Sequence, residues 1–531
     1  TIGLSVMATQ ASTITYLSLP GQAYENGIAF IQNYFGLPLA LILVGAVFLP
    51  IYRKLGVYTA YEYLGQRFDR KTRLLGASLF LLQRGLQSGI TIYAPAIILS
   101  TVFGWRLDLT IVFTGLLAIV YTVTGGSAAV NLTQKWQMAV IFGGMITAFV
   151  VLLMKLPPDA AFIAGAMGKL HAVDYTPDLK VRYTFWSGVL GGFFLSLSYF
   201  GTDQSQVQRY IGGAALREGR LGLMFNAVFK IPMQFFIVIL GALLFVFYQF
   251  HPATPVVFNQ TEWRRQIEGP QGSAFRALEE KHASLHAEKQ EKIRTWAAVR
   301  ASGPGAGEST ARAALVQAQK ASEAVRKEAR DTLYAAAPEA KKTRDSDYVF
   351  ITFILTQLPH GAIGLLVAVM FASALSSKAG ELNALGTTST IDLWRHFRPL
   401  AANDEARNVR NAKWFTAGWG LFAIGFALFV SFAEDLIEAL NIVASIFYPA
   451  LLGVFVVAFF FKKVGGSAVF WAAIAAQAVV LGIYFFGKMH PAHEIGYLWL
   501  NPIGCASCVV FSLGLQAAIG DKNKSTTDGH G

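Results

Sequence analysis

Two adjacent serines in a strongly apolar stretch have the clearest chemical potential in this sequence. Ser376 and Ser377 lie within AVMFASALSSKAGELNALGTTSTIDLW, residues 368–394. A hard monovalent cation needs several oxygen ligands, and two hydroxyls on one helix supply part of such a set. Backbone carbonyls freed by unwinding near Ala8 and Ala11 would complete it. Alternatively, the serines are small residues that let helices pack closely.

Other reactive residue types do not combine into an enzyme site. Cys505 and Cys508 have the C-x-x-C spacing, but no second pair or nearby His accompanies them, so we expect them to pack within a helix. No cluster of His, Asp and Glu collects on facing helices, and we predict no catalytic residues. Lys378 and Glu381 are expected to pair with each other, because an unpaired charge inside a membrane is costly. Three histidines, His251, His490 and His493, lie in predicted outward loops and are expected to be surface residues.

Composition places most of the chain in a lipid bilayer. Of its 531 residues, 54% are hydrophobic and 14% are charged, whereas soluble domains carry about 25% charged residues. Residues 251–345 hold 28 of the charged side chains, 16 basic and 12 acidic. The net charge of +12 is spread over short loops and forms no basic face. We therefore predict no nucleic-acid partner and interpret the basic residues as topology information.

Twelve apolar runs have about the 20 residues that span a bilayer as a helix. They predict an all-α polytopic membrane protein with about 12 transmembrane helices. Helices one to seven occupy residues 1–250 and helices eight to twelve occupy residues 346–519, followed by a tail at 520–531. The runs lie near 1–24, 28–51, 72–103, 107–124, 133–155, 184–212, 219–249, 346–387, 412–432, 436–461, 466–487 and 497–519.

Basic residues in the connecting loops predict the orientation of the chain. They cluster after even-numbered helices, so we predict that those loops and the C-terminal tail are cytoplasmic. The membrane is expected to be the inner membrane of the cell. The loop residues are Arg53, Lys54, Arg67, Arg70, Lys71, Arg73, Arg209, Arg217, Arg220, Arg395, Arg398, Arg407, Arg410, Lys413, Lys462 and Lys463.

The charged insertion at 251–345 is then extracytoplasmic. Its richness in Ala, Glu, Lys, Arg and Gln predicts two antiparallel helices near 273–301 and 309–335, interrupted by a Gly-Pro-Gly-Ala-Gly linker. Ser309 is a candidate N-cap of the second helix. The near balance of its charges favours a solvated face over binding of nucleic acid or an anionic surface. We expect this hairpin to be dispensable for transport.

Two membrane segments carry residues that interrupt a plain helix. The first has Ser12, Thr13 and Thr15 followed by Pro20-Gly21, and the sixth has Gly201-Thr202-Asp203-Gln204. Such interruptions occur at membrane depth where freed backbone groups face a cavity, ligand or ion. Their separation by five helices indicates two repeats of five helices with broken first members. The alternative is that the hydroxyls bond back to their own helix or mediate helix contacts.

Four segments of the chain, in order, resemble the sodium:solute symporter family. They are LSVMATQASTITYLSLPGQAY, FLPIYRKLGVYTAYEYLGQRFD, FWSGVLGGFFLSLSYFGTDQSQVQRY and the stretch at 368–394. The resemblance covers nearly the whole chain outside 251–345. It implies a LeuT-type inverted five-helix repeat with broken first and sixth helices. It also implies one further helix before the segment that opens at Thr1.

The resemblance implies a sodium ion bound between helices one and eight. Its ligands would be the carbonyls of Ala8, Ala11 and Ser373 and the hydroxyls of Ser376 and Ser377. Some family members bind a second sodium through an Asp and two hydroxyls. Here those positions are Gln134, Ala379 and Gly380, which predicts one sodium per solute.

The resemblance also implies a solute site near the middle of the membrane. Lys230 matches a lysine of the sugar carriers and Asn441 stands where they have Gln, whereas Ser12 and Thr15 are more like the sialic acid carriers. Tyr34 replaces an acid of the sugar carriers, and Gln87 aligns with an arginine that would pair a carboxylate. Because no uncompensated arginine is evident in the predicted cavity, we expect a neutral polyhydroxylated solute, and a sugar is the solute that we favour. The donors and acceptors are Ser12, Thr15, Tyr34, Gln87, Asp203, Lys230 and Asn441.

The sequence thus predicts a secondary active symporter that couples sodium entry to solute uptake by alternating access. Its expected partners are sodium, a small solute and the lipid bilayer. A carrier for an organic anion or an amino acid is an alternative. A membrane sensor that keeps the fold without transport is another, although the tail after Gly520 is too short for a signalling domain.

Overall fold

The computed structural model describes the backbone of residues 12–211, 216–301, 306–397, 405–430 and 435–527, with side chains except at 126–135, 301, 306 and 520–527. All regular secondary structure in these residues is helical, which confirms the all-α prediction. The main helices in the first half are α1 Thr13–Asn26, α2 Ile28–Leu55, α3 Arg70–Phe103, α4 Leu107–Lys155, α5 Gly192–Thr202, α6 Gln204–Ile211 and α7 Leu216–Phe250. Those that follow are α8 Gly272–Ala301, α9 Ala306–Ala336, α10 Val349–Gln357, α11 His360–Phe397, α12 Glu405–Phe429, α13 Leu436–Phe460, α14 Gly466–Met489 and α15 Leu500–Thr527.

Ten stretches of the described chain are long and apolar enough to cross a membrane, compared with twelve predicted. One of the other two, 1–24, is described only from Ser12. The other, 184–212, is divided into the short helices α5 and α6. The runs near 107–124 and 133–155 are both present within the single helical stretch α4. The last helix continues to Thr527, so the predicted tail at 520–531 begins as helix.

The break between α5 and α6 lies where the sequence predicted it. Asp203 has extended backbone angles, φ −80° and ψ 118°, between the two helices. The carbonyls freed there receive hydrogen bonds from phenolic hydroxyls: Tyr52 donates to Gly201 at 2.6 Å and Tyr61 to Thr202 at 2.8 Å. These bonds satisfy backbone groups that lipid could not, so the interruption is stable within the membrane.

The helix α1 contacts two other helices, α11 and α7. Ser12 has extended backbone, and α1 begins at Thr13. The Thr13 hydroxyl donates to the carbonyl of Met370 on α11 at 2.6 Å. On the other side, Gly241 of α7 packs against the backbone of Pro20. The N-terminal end of α1 is therefore fixed against the helix that carries Ser376 and Ser377.

The insertion contains the predicted hairpin, α8 and α9, and it is docked on the membrane helices. The helix α9 already begins at Ala306, so the prediction of Ser309 as N-cap is wrong; Ser309 lies in the first turn. Arg326 of α9 donates to the hydroxyl of Tyr24 on α1 at 2.9 Å and lies 3.4 Å from the carboxylate of Asp345. Trp296 of α8 stacks on Phe162, a residue outside the insertion, with ring centroids 5.7 Å apart.

Two buried histidines lie beside the Arg326 anchor. The rings of His282 and His286 on α8 stack with centroids 5.6 Å apart. Burial, reinforced by Arg326 and Lys289, lowers the pKa of His282 from its ordinary 6.5 to about 3. Burial and Lys289 lower the pKa of His286 to about 4, although His286 Nε2 contacts the His251 carbonyl at 3.1 Å. Both rings are therefore neutral in the folded insertion at neutral pH.

We expect mild acid to loosen the insertion. An unfolded chain protonates these histidines near pH 6.5 and the folded one only near 3 to 4, so their contribution is complete above pH 6.5 and is lost as the pH falls. At pH 5 the loss is about 2 kcal/mol for each ring. Limited proteolysis within α8 and α9 at pH 5 and 7.5 measures it. The His282→Gln/His286→Gln variant should lose the pH difference, and equal cleavage of the native chain at both pH values would contradict the prediction.

Candidate functional site

A cavity of about 170 Å³ lies among α1, α2, α3, α5, α6, α7, α11 and α13. Six of the seven residues predicted to bind solute line its wall, and so does one residue predicted to bind sodium. Residues from opposite ends of the chain thus converge beside the break between α5 and α6. The predicted residues in the wall are Ser12, Thr15, Tyr34, Gln87, Lys230, Asn441 and Ser377.

Hydrogen bonding distinguishes these polar groups from one another. The Asn441 side-chain nitrogen is buried with no hydrogen-bond partner among the described residues. The Gln87 side-chain nitrogen is already committed, since it donates to the Leu440 carbonyl at 2.8 Å. The Lys230 ammonium lies 5.5 Å from the Tyr34 ring centroid, and the Lys230 side chain is buried. Asn441 is therefore one of the wall residues whose amide is available to a ligand.

Sequence reasoning missed Arg84, and it placed Asp203 wrongly with respect to the cavity. Arg84 lines the wall, whereas Asp203 lies behind it, fully buried. The guanidinium bonds to Asp203 Oδ2 through Nε at 3.1 Å and through NH2, which also lies 3.0 Å from the Tyr448 hydroxyl. The signal was available: Arg84 precedes Gln87 by three residues, and residues three apart share a helix face.

Glu381 joins this ion pair to α11. Its Oε1 lies 3.4 Å from NH1 of Arg84, and its Oε2 accepts a hydrogen bond from Thr91 at 2.9 Å. Lys378 lies 3.7 Å from Oε2, which confirms the predicted pairing of Lys378 and Glu381. The same ammonium contacts the hydroxyls of Ser88 and Thr91. A network of two cations and two carboxylates thus links α3, the α5–α6 break and α11.

The helix α11 presents the three serines that the resemblance assigns to sodium. Ser377 faces the cavity, and its hydroxyl is buried with no partner in the part of the chain that the structure describes. Ser376 accepts a hydrogen bond from Gln137 of α4 at 3.1 Å, a contact that the sequence did not predict. Ser373 is also buried. An orphaned hydroxyl beside a cavity fits a site that donates oxygen to a cation.

The remaining predicted sodium groups cannot be compared with the structure. Ala8 and Ala11 lie outside the described residues. The side chain of Gln134 also lies outside them, while Ala379 and Gly380 supply no side-chain oxygen. The bond from Thr13 to Met370 nevertheless holds the start of α1 one helical turn from Ser373.

This fold and this cavity define a class of protein, the multi-pass membrane proteins of the LeuT-type fold. A solved structure of a Na⁺-coupled sialic acid symporter, in a substrate-bound outward-open state, has the same fold. It superposes with a TM-score of 0.69 at 22% sequence identity, and the match covers 97% of this chain and 89% of that one. The family model described as the sodium:solute symporter family matches residues 1–261 and 331–476. The chain belongs to the sodium:solute symporter family.

Relatives within the family carry different names. The chain is 34% identical to the sodium/iodide cotransporter of Homo sapiens over 249 residues, 46% of this chain and 39% of that protein. It is 34% identical to the sodium-coupled monocarboxylate transporter 1 of Homo sapiens over 229 residues, 43% of this chain and 38% of that protein. It is 26% identical to the sodium-dependent multivitamin transporter of Oryctolagus cuniculus over 466 residues, which are 87% of this chain and 59% of that protein. The chain spans about two to three fifths of the length of these curated relatives.

Proposed function

We propose that the protein is a sodium-coupled symporter for a small organic anion. The observation that supports an anionic solute is the charge of the side chains that line the cavity. Four cationic side chains line its described wall, against the single carboxylate of Glu381, with Asp203 buried behind them. Basic side chains thus outnumber carboxylates in the described wall, and an anionic solute would find several positively charged partners in a low-dielectric site. The four cations are Arg84, Arg209, Lys230 and Lys378.

The names of the relatives support the same solute class. Iodide, a monocarboxylate and sialic acid, which three of the related proteins carry in their names, are all anions. The sequence favoured a sugar because no uncompensated arginine was evident. Arg84 lines the cavity but is paired with Asp203 and Glu381, so the anion proposal rests on the basic side chains of the wall taken together.

Sodium in this proposal binds between α1 and α11. The carbonyls of Ala8, Ala11 and Ser373 and the hydroxyls of Ser376 and Ser377 are its ligands. The partnerless Ser377 hydroxyl supports this assignment. Sodium would bridge the two helices in the outward-open state, and one sodium would move with each solute. In the inner membrane, the loop charges place the insertion outside and the C-terminus in the cytoplasm.

Asn441 offers a test that separates an anion from a neutral sugar. Replacing it by Asp keeps the size of the side chain and its capacity to accept hydrogen bonds, but adds a negative charge to the cavity. We expect Asn441→Asp to weaken carboxylate binding more than tenfold, because like charges in a buried site repel, whereas Asn441→Ala should cost roughly tenfold for the lost hydrogen bond. Thermal shifts in sodium, with carboxylates and sugars as ligands, measure both.

The opposite pattern would favour the sugar. The hydroxyls of a neutral sugar can donate hydrogen bonds to the carboxylate that Asn441→Asp introduces, so sugar binding should survive that substitution better than the Ala substitution. Sodium affinity without solute should be the same in both variants, which controls for damage to the fold. If only sugars stabilise the native protein, the anion proposal is wrong.

A further inference from the structure

We infer that Glu381 is a built-in competitor for the solute: its carboxylate occupies the part of Arg84 that a solute carboxylate takes when it binds. The inference rests on the proposed function, an organic anion as solute. It adds a residue that sets affinity and links solute binding to the helix that carries the serines.

The two carboxylates around Arg84 are not equivalent. Asp203 is fully buried and its second oxygen, Oδ1, is committed to the backbone nitrogen of Ser205 at 2.8 Å and to the Ser205 hydroxyl at 2.6 Å. Its Oδ2 holds Nε and NH2 of the guanidinium. Asp203 is thus a permanent partner that fixes the orientation of Arg84, because both of its oxygens are committed to groups of the protein.

Glu381 has the properties of a displaceable partner. Its side chain is 12% exposed and lies in the cavity wall. It contacts NH1 of Arg84 at 3.4 Å, a longer separation than the usual charge-assisted hydrogen bond of about 2.7–2.9 Å. Asp203 holds the other two nitrogens of the guanidinium, so NH1 is the one that Glu381 contacts instead. A carboxylate in the cavity therefore competes with Glu381 and not with Asp203.

Glu381 keeps other partners when it leaves Arg84. Its Oε2 is already held by the Thr91 hydroxyl at 2.9 Å and lies 3.7 Å from the Lys378 ammonium. If Oε1 leaves Arg84, the carboxylate keeps these two partners, so its charge is not stranded in the membrane. Glu381 follows Ser377 by four residues, and both face the cavity, so they share one face of α11. Displacement of Glu381 thus changes the charge distribution next to the proposed sodium ligands.

The test compares short carboxylates with their neutral amides. Propionate and propionamide, acetate and acetamide, and benzoate and benzamide are titrated onto the full-length protein in sodium-containing nanodiscs. Removing the competitor with the isosteric Glu381→Gln substitution should tighten the best carboxylate about tenfold, the size of one hydrogen bond to a charged group. The matching amide and sodium alone should bind as before. Glu381→Asp, which keeps the charge but retracts it from Arg84, should tighten the carboxylate less.

A matched control removes a carboxylate elsewhere. Glu438 is buried and pairs with Arg182 at 2.9 Å, outside the cavity wall. Glu438→Gln makes the same change of net charge and should leave carboxylate affinity unchanged. If the native protein binds carboxylates but Glu381→Gln fails to tighten them, or tightens amides equally, the inference is wrong. If the native protein binds no carboxylate of the set, the proposed function fails first, and the inference fails with it.

Discussion

Replacing Ser376 and Ser377 together by alanine should weaken sodium binding about 100-fold, since each hydroxyl that faces a cation contributes on the order of 1.5 kcal/mol. The site lies between α1 and α11, so weaker sodium binding should also reduce the stabilisation that sodium gives to the native protein. Sodium titrations followed by thermal stability, without solute, measure the change directly.

The matched control is another serine of the same helix. Ser389 of α11 is buried and accepts one hydrogen bond, from Trp419 at 2.9 Å, much as Ser376 accepts one from Gln137. Ser389→Ala should cost similar stability and leave sodium affinity unchanged. A normal sodium titration in the Ser376→Ala/Ser377→Ala variant would show that the ion binds elsewhere.

Removing Arg84 alone should have the largest effect on stability. Arg84→Gln leaves Asp203 fully buried without its cation, and breaking a buried pair by removing one member costs about 3–5 kcal/mol. Asp203→Asn in the same chain removes the stranded charge, so the double variant should recover much of the loss. Unfolding of Arg84→Gln, of Asp203→Asn alone, of the double variant and of the native protein in nanodiscs gives the coupling between the two residues.

Solute binding separates the roles of the pair. The double variant should fold yet lose carboxylate binding, because the remaining side chains do not replace a guanidinium. If the Arg84→Gln single variant is as stable as the native protein, the ion pair contributes little. If the double variant still binds carboxylates normally, Arg84 is not the anion site.

Sequence patterns were most informative where local chemistry decides structure. The Gly-Thr-Asp-Gln stretch predicted the break at Asp203 because small and polar residues interrupt an apolar helix, and six of seven solute residues were placed in one wall. The α8–α9 hairpin followed from helix propensity, but its boundary did not. The helix α9 starts at Ala306, inside the Gly-Pro-Gly-Ala-Gly stretch, without Ser309 as a cap.

Contacts between distant parts of the chain could not be read from the sequence. Asp203 was predicted to bind solute because it is an acid beside a helix break. In the structure Arg84, which lies 119 residues away in the sequence, covers it. Glu381 was paired with its neighbour Lys378, but its bond to Arg84 spans 297 residues. Likewise, nothing in the charged insertion indicated that Arg326 would reach Tyr24.

That last contact makes the insertion a natural reporter of motion. The helix α8 has 30 residues, so it is about 45 Å long, and the hairpin is tied to the rest of the protein both by Arg326 of α9 and by Trp296 near the far end of α8. A movement of the helices to which these residues are tied would thus be passed to the hairpin. Spin labels or fluorophores near the hairpin tip would follow the cycle, and a rigidly docked arm would give electron microscopists a feature with which to align images of an otherwise featureless particle.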